Sequence, residues 1–293
     1  MQKADVGNAR NSDSAQIIQW QRELESDAVL VDWLATETGL SKRGLKEVLL
    51  KGAVQVKRNG AARKRVRRAT FELRKGDTVY FNYDPAILAL QPPQPALLFK
   101  CREYSLWFKP AGLLSQGNEW SDHCSLLRLA EQHLNIQQTY LVHRLDREAS
   151  GIMLIAHTSH AAAKLSALWQ NNQILKQYKV CVHGQAPEQG EINDPLDGKP
   201  ARTLYKCERY DAVNHCSWLD VSIITGRKHQ IRRHLSAQGL PVVGDPQYGD
   251  FSEKILNKKG LLLQAWVLEF NCPFSKTRKR FELPLEQLIT TAQ

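Results

Sequence analysis

The chain has 293 residues, 42% of them hydrophobic and 24% charged, the composition of a folded globular protein long enough for two domains or for one large domain with an appendage. A formal net charge of +10 calls for a polyanionic partner, nucleic acid ahead of an anionic membrane, because no basic amphipathic helix with a strong apolar face stands out. No apolar run reaches about 18 residues, the first 26 residues hold no secretory signal, and Cys101, Cys124, Cys181, Cys207, Cys216 and Cys272 match none of the spacings of a structural zinc site; the expectation is a cytoplasmic protein with reduced thiols, no membrane span and no metal.

Residues 1–26, rich in Asn, Ser, Gln and Asp, read as a mobile arm with one short apolar patch around Trp20. Val29, Leu30, Trp33 and Leu34 then recur at helical spacing as far as Gly39. Ser41 can cap a second helix whose Leu45, Val48 and Leu49 form an apolar stripe. Residues 53–57 alternate as a strand, Asn59-Gly60 is a hairpin-turn signal, and Phe71-Glu72-Leu73 and Val79-Tyr80-Phe81 complete a small sheet. Residues 27–84 hold 13 Lys and Arg against 7 Asp and Glu, and residues 57–68 hold seven cations and no acid, which repel one another unless an anion lies across them. Charge runs also occur as plain solvated faces. This α/β arrangement resembles an S4-type RNA-binding domain, in which the second helix and following hairpin line an RNA-binding face; the resemblance implies RNA contacts for Lys42, Arg43, Lys46, Lys57 and Arg58. Pro85, Pro92, Pro93 and Pro95 mark residues 85–96 as a stiff linker and domain boundary.

Residues 97–293 form the larger domain. Ser105-Leu106-Trp107-Phe108 reads as a strand running into Lys109-Pro110, and residues 125–134 have the spacing of a helix. Next comes the loop His143-Arg144-Leu145-Asp146-Arg147 between two apolar runs, closed by Ser150-Gly151. Nearby cations favour the ionised form of a carboxylate, which suits Asp146 to act as a nucleophile rather than a proton donor; without further context the same loop reads as a solvated surface connection. Residues 159–170 are expected to be helical, and residues 176–184 alternate with Tyr178, Val180 and Val182 on one face, where an aromatic serves core packing as readily as a site. Arg227-Lys228-His229-Gln230-Ile231-Arg232 is expected to begin a helix that Gly239 and Pro241 end. Cations would crowd the end at which the helix dipole prefers anions, so a partner carboxylate or phosphate is expected there.

The run His143-Arg144-Leu145-Asp146 through Ser150-Gly151 resembles the signature of the RluA family of RNA pseudouridine synthases, with Ala149 where the family has Thr. Lys109-Pro110-Ala111-Gly112, Lys176-Gln177-Tyr178 and Gly226-Arg227-Lys228-His229-Gln230-Ile231-Arg232 are similar to further motifs of that family, and the likeness covers about residues 97–283. Phe108 and Gln264 stand where the family has Asn and His. The resemblance implies an α+β catalytic domain with a central, mostly antiparallel mixed β-sheet flanked by helices and loops. It implies Asp146 as nucleophile, Arg232 paired with it, Tyr178 packed against the target uracil, and Arg144 and Arg227 in contact with RNA. The implied partner is structured RNA, ribosomal ahead of transfer RNA, bound by a monomer with no small-molecule cofactor; no glycine-rich phosphate-binding motif is present. The rival reading is an RNA-binding or ribosome-associated factor without catalysis. A kinase catalytic loop fails on residue order, because there Asp directly follows Arg.

Overall fold

The computed structural model describes residues 16–58, 60–249 and 260–289. It divides into two units, the first comprising Met1–Gln91 and Gly117–His123, the second Pro92–Gln116 and Cys124–Gln293.

The first unit contains β1 (Ile18–Glu23), β2 (Ala28–Val29), α1 (Leu30–Thr38), α2 (Lys42–Leu50), β3 (Val54–Lys57), β4 (Lys64–Arg65), β5 (Glu72–Leu73), β6 (Thr78–Tyr83) and α3 (Pro85–Ala89). Its sheet runs β1-β6-β3-β4. Gly39, in the left-handed conformation at φ 70°, closes α1, and the Ser41 hydroxyl accepts from the Gly44 amide at 3.2 Å to open α2. Leu30, Leu34, Leu45 and Leu49 join Val54, Val79 and Phe81 in one buried core.

Two expectations are corrected in this unit. Residues 18–23, assigned to a mobile arm, are an edge strand paired antiparallel with β6, because Trp20 stacks on Phe81 (5.2 Å) and meets Trp33 edge-on (5.7 Å). Residues 1–15 of that arm lie outside the described residues, as does Asn59 of the expected hairpin turn. The stretch 85–96 is not uniformly extended linker: Asp84 accepts from the Ala86 and Ile87 amides and starts α3, with Pro85 at the first helical position where its missing N–H costs nothing. The cation run is also less bare than its sequence. Arg58 makes a two-pronged pair with the buried Asp77, Arg67 pairs with Asp122, and Arg65 donates to the carbonyls of Gly52 and Asn118.

The second unit contains β7 (Ala96–Lys100), β8 (Tyr104–Lys109), α4 (Leu126–Leu134), β9 (Tyr140–Leu141), β10 (Ser150–Ala156), α5 (Ser159–Gln170), β11 (Ile174–His183), β12 (Gln189–Ile192), β13 (Thr203–Asp211), β14 (Cys216–Ile223), α6 (Gln230–Ala237), β15 (Leu263–Asn271) and β16 (Arg278–Glu282). A ten-stranded sheet runs β12-β13-β14-β11-β15-β10-β8-β7, with β16 on β15 and β9 on β10. Among the described strands only β10 and β15 pair in parallel, so the sheet is mixed and mostly antiparallel, as expected. Every residue of β10 is buried: Ile152, Leu154 and Ala156 share a core with Ala161 and Leu165 of α5, while Met153 and Ile155 pack with Leu126 and Ala130 of α4. On the other half of the sheet, Ile231 and Leu235 of α6 pack on Val180, Val182, Leu219 and Val221.

The β10–β15 pairing is brief, Ser150 with Gln264 and Gly151 with Ala265, after which β10 continues beside β9 and β15 beside β16. Gly151 permits it: at φ 118° its backbone lies so close to β15 that a Cβ there would sit 2.1 Å from the Ala265 carbonyl oxygen. The loop bearing Asp146 leads directly into this seam, since the paired residues Ser150 and Gly151 are the first of β10.

Candidate active site

The loop carrying Asp146 is clamped by the turn that follows β8. Leu145 donates its amide to the Ser115 hydroxyl (3.0 Å), which donates back to the Leu145 carbonyl (2.6 Å). The Gly112 amide donates to the Arg147 carbonyl at 2.8 Å. Beneath both turns Lys109 is fully buried, and its ammonium donates to the carbonyls of Leu113 (2.7 Å), Pro110 (3.1 Å) and Arg147 (3.2 Å). Burial pushes the pKa of Lys109 down to about 7. Three acceptors favour its charged form, so the side chain acts as a pin between the Lys-Pro turn and the loop bearing Asp146.

The lead-in to α6 supplies the counter-charge. The helix begins at Gln230, later than expected, because the Gln230 side chain accepts from the Arg227 amide (3.0 Å) and the Thr225 hydroxyl (2.7 Å) and donates to the Arg202 carbonyl and Thr203 hydroxyl. Arg227 and Lys228 thus precede the helix, and His229, the residue that caps its N-terminus, adopts a left-handed conformation at φ 53°. One turn on, Arg232 is 2% exposed and holds two carboxylates. Its Nη1 donates to Asp146 Oδ2 at 3.0 Å, while Nε and Nη2 donate to the two oxygens of Asp245 at 2.7 and 2.8 Å. Burial works against the charge on Arg232, but the bonds to Asp245 and Asp146 outweigh it and raise its pKa. Burial likewise pushes the Asp245 carboxyl up, and is outweighed by Arg232 and by the amides of Gln247 and Tyr248, which hold it below the usual range. The expected partner carboxylates for the cation-rich segment are therefore intramolecular. The Tyr248 ring stacks on the Arg232 guanidinium, 5.2 Å from its centroid, and its hydroxyl meets His229 Nδ1 at 3.1 Å. With Oδ2 taken by Arg232, Asp146 Oδ1 faces His229 Nε2 at 3.7 Å, beyond hydrogen-bonding distance.

Asp146 borders a cavity of about 470 Å³ together with Tyr178, Arg144, Arg227 and Arg232, so these five expected site residues come together. The others do not belong to this cavity. Lys42, Arg43, Lys46 and Lys57 are exposed on the first unit, Lys42 ion-paired with Asp32 at 2.6 Å, and the Arg58 charge is committed to Asp77. In the cavity wall His143 stacks on Trp169 (4.5 Å, 15°) and its Nε2 accepts from the Leu154 amide at 3.0 Å. Burial, reinforced by the charge on Lys176, pushes the His143 pKa down to about 3, so the ring is neutral. Burial, with the nearby charge of Asp146, raises the Tyr178 pKa and keeps its phenol protonated. Sequence reading missed Asp245, Ser115, His229 and Lys176. Lys109, Lys176 and His229 lay within quoted motifs, but nothing in the chain near Ser115 announces a partner 30 residues away. Among the described residues no cluster of three or more His, Cys, Asp or Glu could hold a metal, and no helix is long and apolar enough to cross a membrane.

The architecture is that of the pseudouridine synthases: a human protein, RNA pseudouridylate synthase domain containing 1, superposes with a TM-score of 0.57 at 20% identity, over 67% of this chain and 86% of that one. Residues 103–237 match the family profile described as RNA pseudouridylate synthase. The dual-specificity RNA pseudouridine synthase RluA of Vibrio parahaemolyticus is 33% identical over 199 residues, 61% of this chain and 78% of that protein. The ribosomal large subunit pseudouridine synthase D of Nitrosomonas europaea is 31% identical over 216 residues, 64% of this chain; the chain spans 61% of that relative's length. The chain belongs to the RluA family of RNA pseudouridine synthases.

Proposed function

We propose that this protein converts uridine to pseudouridine in structured RNA, with Asp146 as the nucleophile acting on a uridine extruded from its stack. The observation that carries this reading is the Asp146–Arg232 pair at 3.0 Å, with Arg232 itself locked by Asp245, at the edge of a cavity large enough to enclose a small ligand. The reaction must break the bond between sugar C1′ and uracil N1, turn the base, join C1′ to C5 and release the C5 proton. An ionised carboxylate can begin this by adding to the sugar, by adding to the base or by assisting elimination. In each case it must face the cavity with one oxygen held, as Arg232 holds Oδ2. Tyr178 supports the plane of the uracil. Arg144, exposed beside Asp146, holds the strand from which the base has been taken, at a cost of a few kcal/mol for unstacking, and Arg227 adds a second contact at the rim.

The first unit serves as an S4-like RNA-binding module through Lys42, Arg43, Lys46 and Lys57, and the protein works in the cytoplasm as a monomer. Ribosomal RNA is preferred to transfer RNA as substrate, in keeping with the name of the Nitrosomonas relative. The isomerisation changes no oxidation state, and this reading assigns it no cofactor. An RNA-binding factor without catalysis would have no use for a carboxylate presented to a cavity by a buried arginine.

The test uses [5-³H]uridine-labelled total RNA from cells lacking the gene. The wild-type protein should release tritium from C5, and Asp146→Asn should bind the same RNA within about threefold while releasing none. Turnover by the variant would remove Asp146 from the chemistry.

A further inference from the structure

Lys176 lies two residues before Tyr178 on β11, so both side chains leave the same face of the strand and border the cavity beside Asp146. It is 6% exposed, yet among the described residues its ammonium makes no hydrogen bond and no ion pair, and the Tyr178 hydroxyl is likewise without a partner. An ammonium set in a largely apolar wall without a protein partner is costly unless something else supplies one; Nζ is not among the fully enclosed side-chain atoms left unsatisfied, so it opens on the cavity, where a ligand can reach it. The neighbouring His143 cannot do so, being neutral and engaged with the Leu154 amide. The cavity that Lys176 borders is also lined by Leu141, Tyr178 and Trp169, whose apolar and aromatic surfaces suit a flat ring better than a hydrated phosphate, whereas Arg144 and Lys228, which also line it, are exposed to solvent, where an RNA backbone would pass.

We propose that Lys176 is a catalytic residue that donates from its ammonium to a carbonyl oxygen of the target uracil and stabilises the negative charge the ring acquires during the reaction. The proposal rests on the pseudouridine reading above. When the C1′–N1 bond opens, its electron pair goes to the ring and spreads over N1 and the carbonyl oxygens; when a nucleophile adds to the base instead, the charge gathers on the same oxygens. On either route the pair is returned when C5 bonds to C1′ and the C5 proton departs. Lys176 stays an ammonium throughout and transfers no proton. Preorganised donors of this kind, aimed where charge develops in a site that excludes water, are worth roughly 10²–10³ in rate.

Lys176→Met, Lys176→Arg and Lys176→Ala test it on the same tritium-labelled RNA under single-turnover conditions. For Lys176→Met the release rate should fall about 100-fold or more, with RNA affinity within about threefold and the salt dependence of binding unchanged. Lys176→Arg should keep activity within about tenfold of wild type, and ethylammonium should rescue Lys176→Ala. The melting temperature of Lys176→Met should equal or exceed that of wild type, because the substitution removes a partly desolvated charge that has no protein partner. An unchanged rate, or a lower melting temperature with no ethylammonium rescue in the alanine variant, would overturn the proposal. A weaker affinity with a salt slope shallower by about 0.7–0.9 would assign Lys176 to a phosphate instead. Tritium release by the wild type reads the activity itself, whereas the ratio of variant to wild type reads Lys176, so the two readings fail separately.

Discussion

Arg232 is useful to the site because its two carboxylates are unequal partners. Asp245 takes two of its donors from a fully buried position and fixes the guanidinium plane, which leaves Nη1 to set the orientation of Asp146. Asp245→Asn should therefore cost about 3–5 kcal/mol of stability, the usual result of removing one member of a buried ion pair. It should also lower turnover with RNA affinity retained. The pH dependence has a defined sign. Because Asp245 is held below the usual carboxylate range, its stabilisation is present above about pH 3.9, the ordinary Asp value, and is lost as pH falls through the lower folded value. Acid unfolding followed by circular dichroism should show this slope in wild type and a shallower one in Asp245→Asn. Lys176 has the opposite signature. Burial lowers its pKa from 10.5 to about 8, so between those values the unfolded chain binds more protons and stability rises with pH. That rise should be missing from Lys176→Met.

The decisive element is β10. It is buried on both faces, it touches β15 only at its first two residues, and it receives the chain directly from the loop bearing Asp146. Ser150-Gly151 was read from the sequence as the turn closing that loop; in the fold both residues are the first of β10, and Gly151 is where two strands approach too closely for any side chain. Gly151→Ala must move β15 or unwind the start of β10, at a cost of roughly 3 kcal/mol from the steric overlap and the φ of 118°. At about 2–4 °C per kcal/mol for a protein of this size, the melting temperature should fall by roughly 6–12 °C, with activity lost in parallel as Asp146 shifts. A melting temperature unchanged within about 2 °C would mean that the seam accommodates a methyl group and does not govern the loop.

Across the whole molecule, the question is which positive charges remain for RNA. Of the seven cations in residues 57–68, Arg58, Arg65 and Arg67 are occupied within their own unit, so the net charge overstates the binding face. Replacing Lys42, Arg43, Lys46 and Lys57 together with Gln should flatten the dependence of log affinity on log salt by roughly 3, while leaving single-turnover chemistry at saturating protein unchanged. Arg58→Gln should instead lower the melting temperature and leave the salt slope where it was. A slope that ignores the fourfold change would exclude this face from RNA contact. Deleting residues 28–84 outright would be a poorer experiment, since Gly117–His123 packs with that unit and Asp122 would lose Arg67.

Local chemistry was readable without coordinates: the Ser41 cap, the alternation that places Tyr178, Val180 and Val182 on one face, and the motif residues that later meet around one cavity. These depend on interactions within a few residues, where periodicity and capping are written directly in the chain. The pairings that turn the motif into a site are of another kind. Ser115 with Leu145, Lys109 with Arg147 and Asp146 with Arg232 join residues 30, 38 and 86 positions apart. The edge strand β1 likewise exists only because β6 is there to receive it and Phe81 to cover Trp20. No window of sequence contains both partners of such a contact. Which buried charge is matched and which, like that of Lys176, is left for a ligand becomes determinate only when the strands are packed.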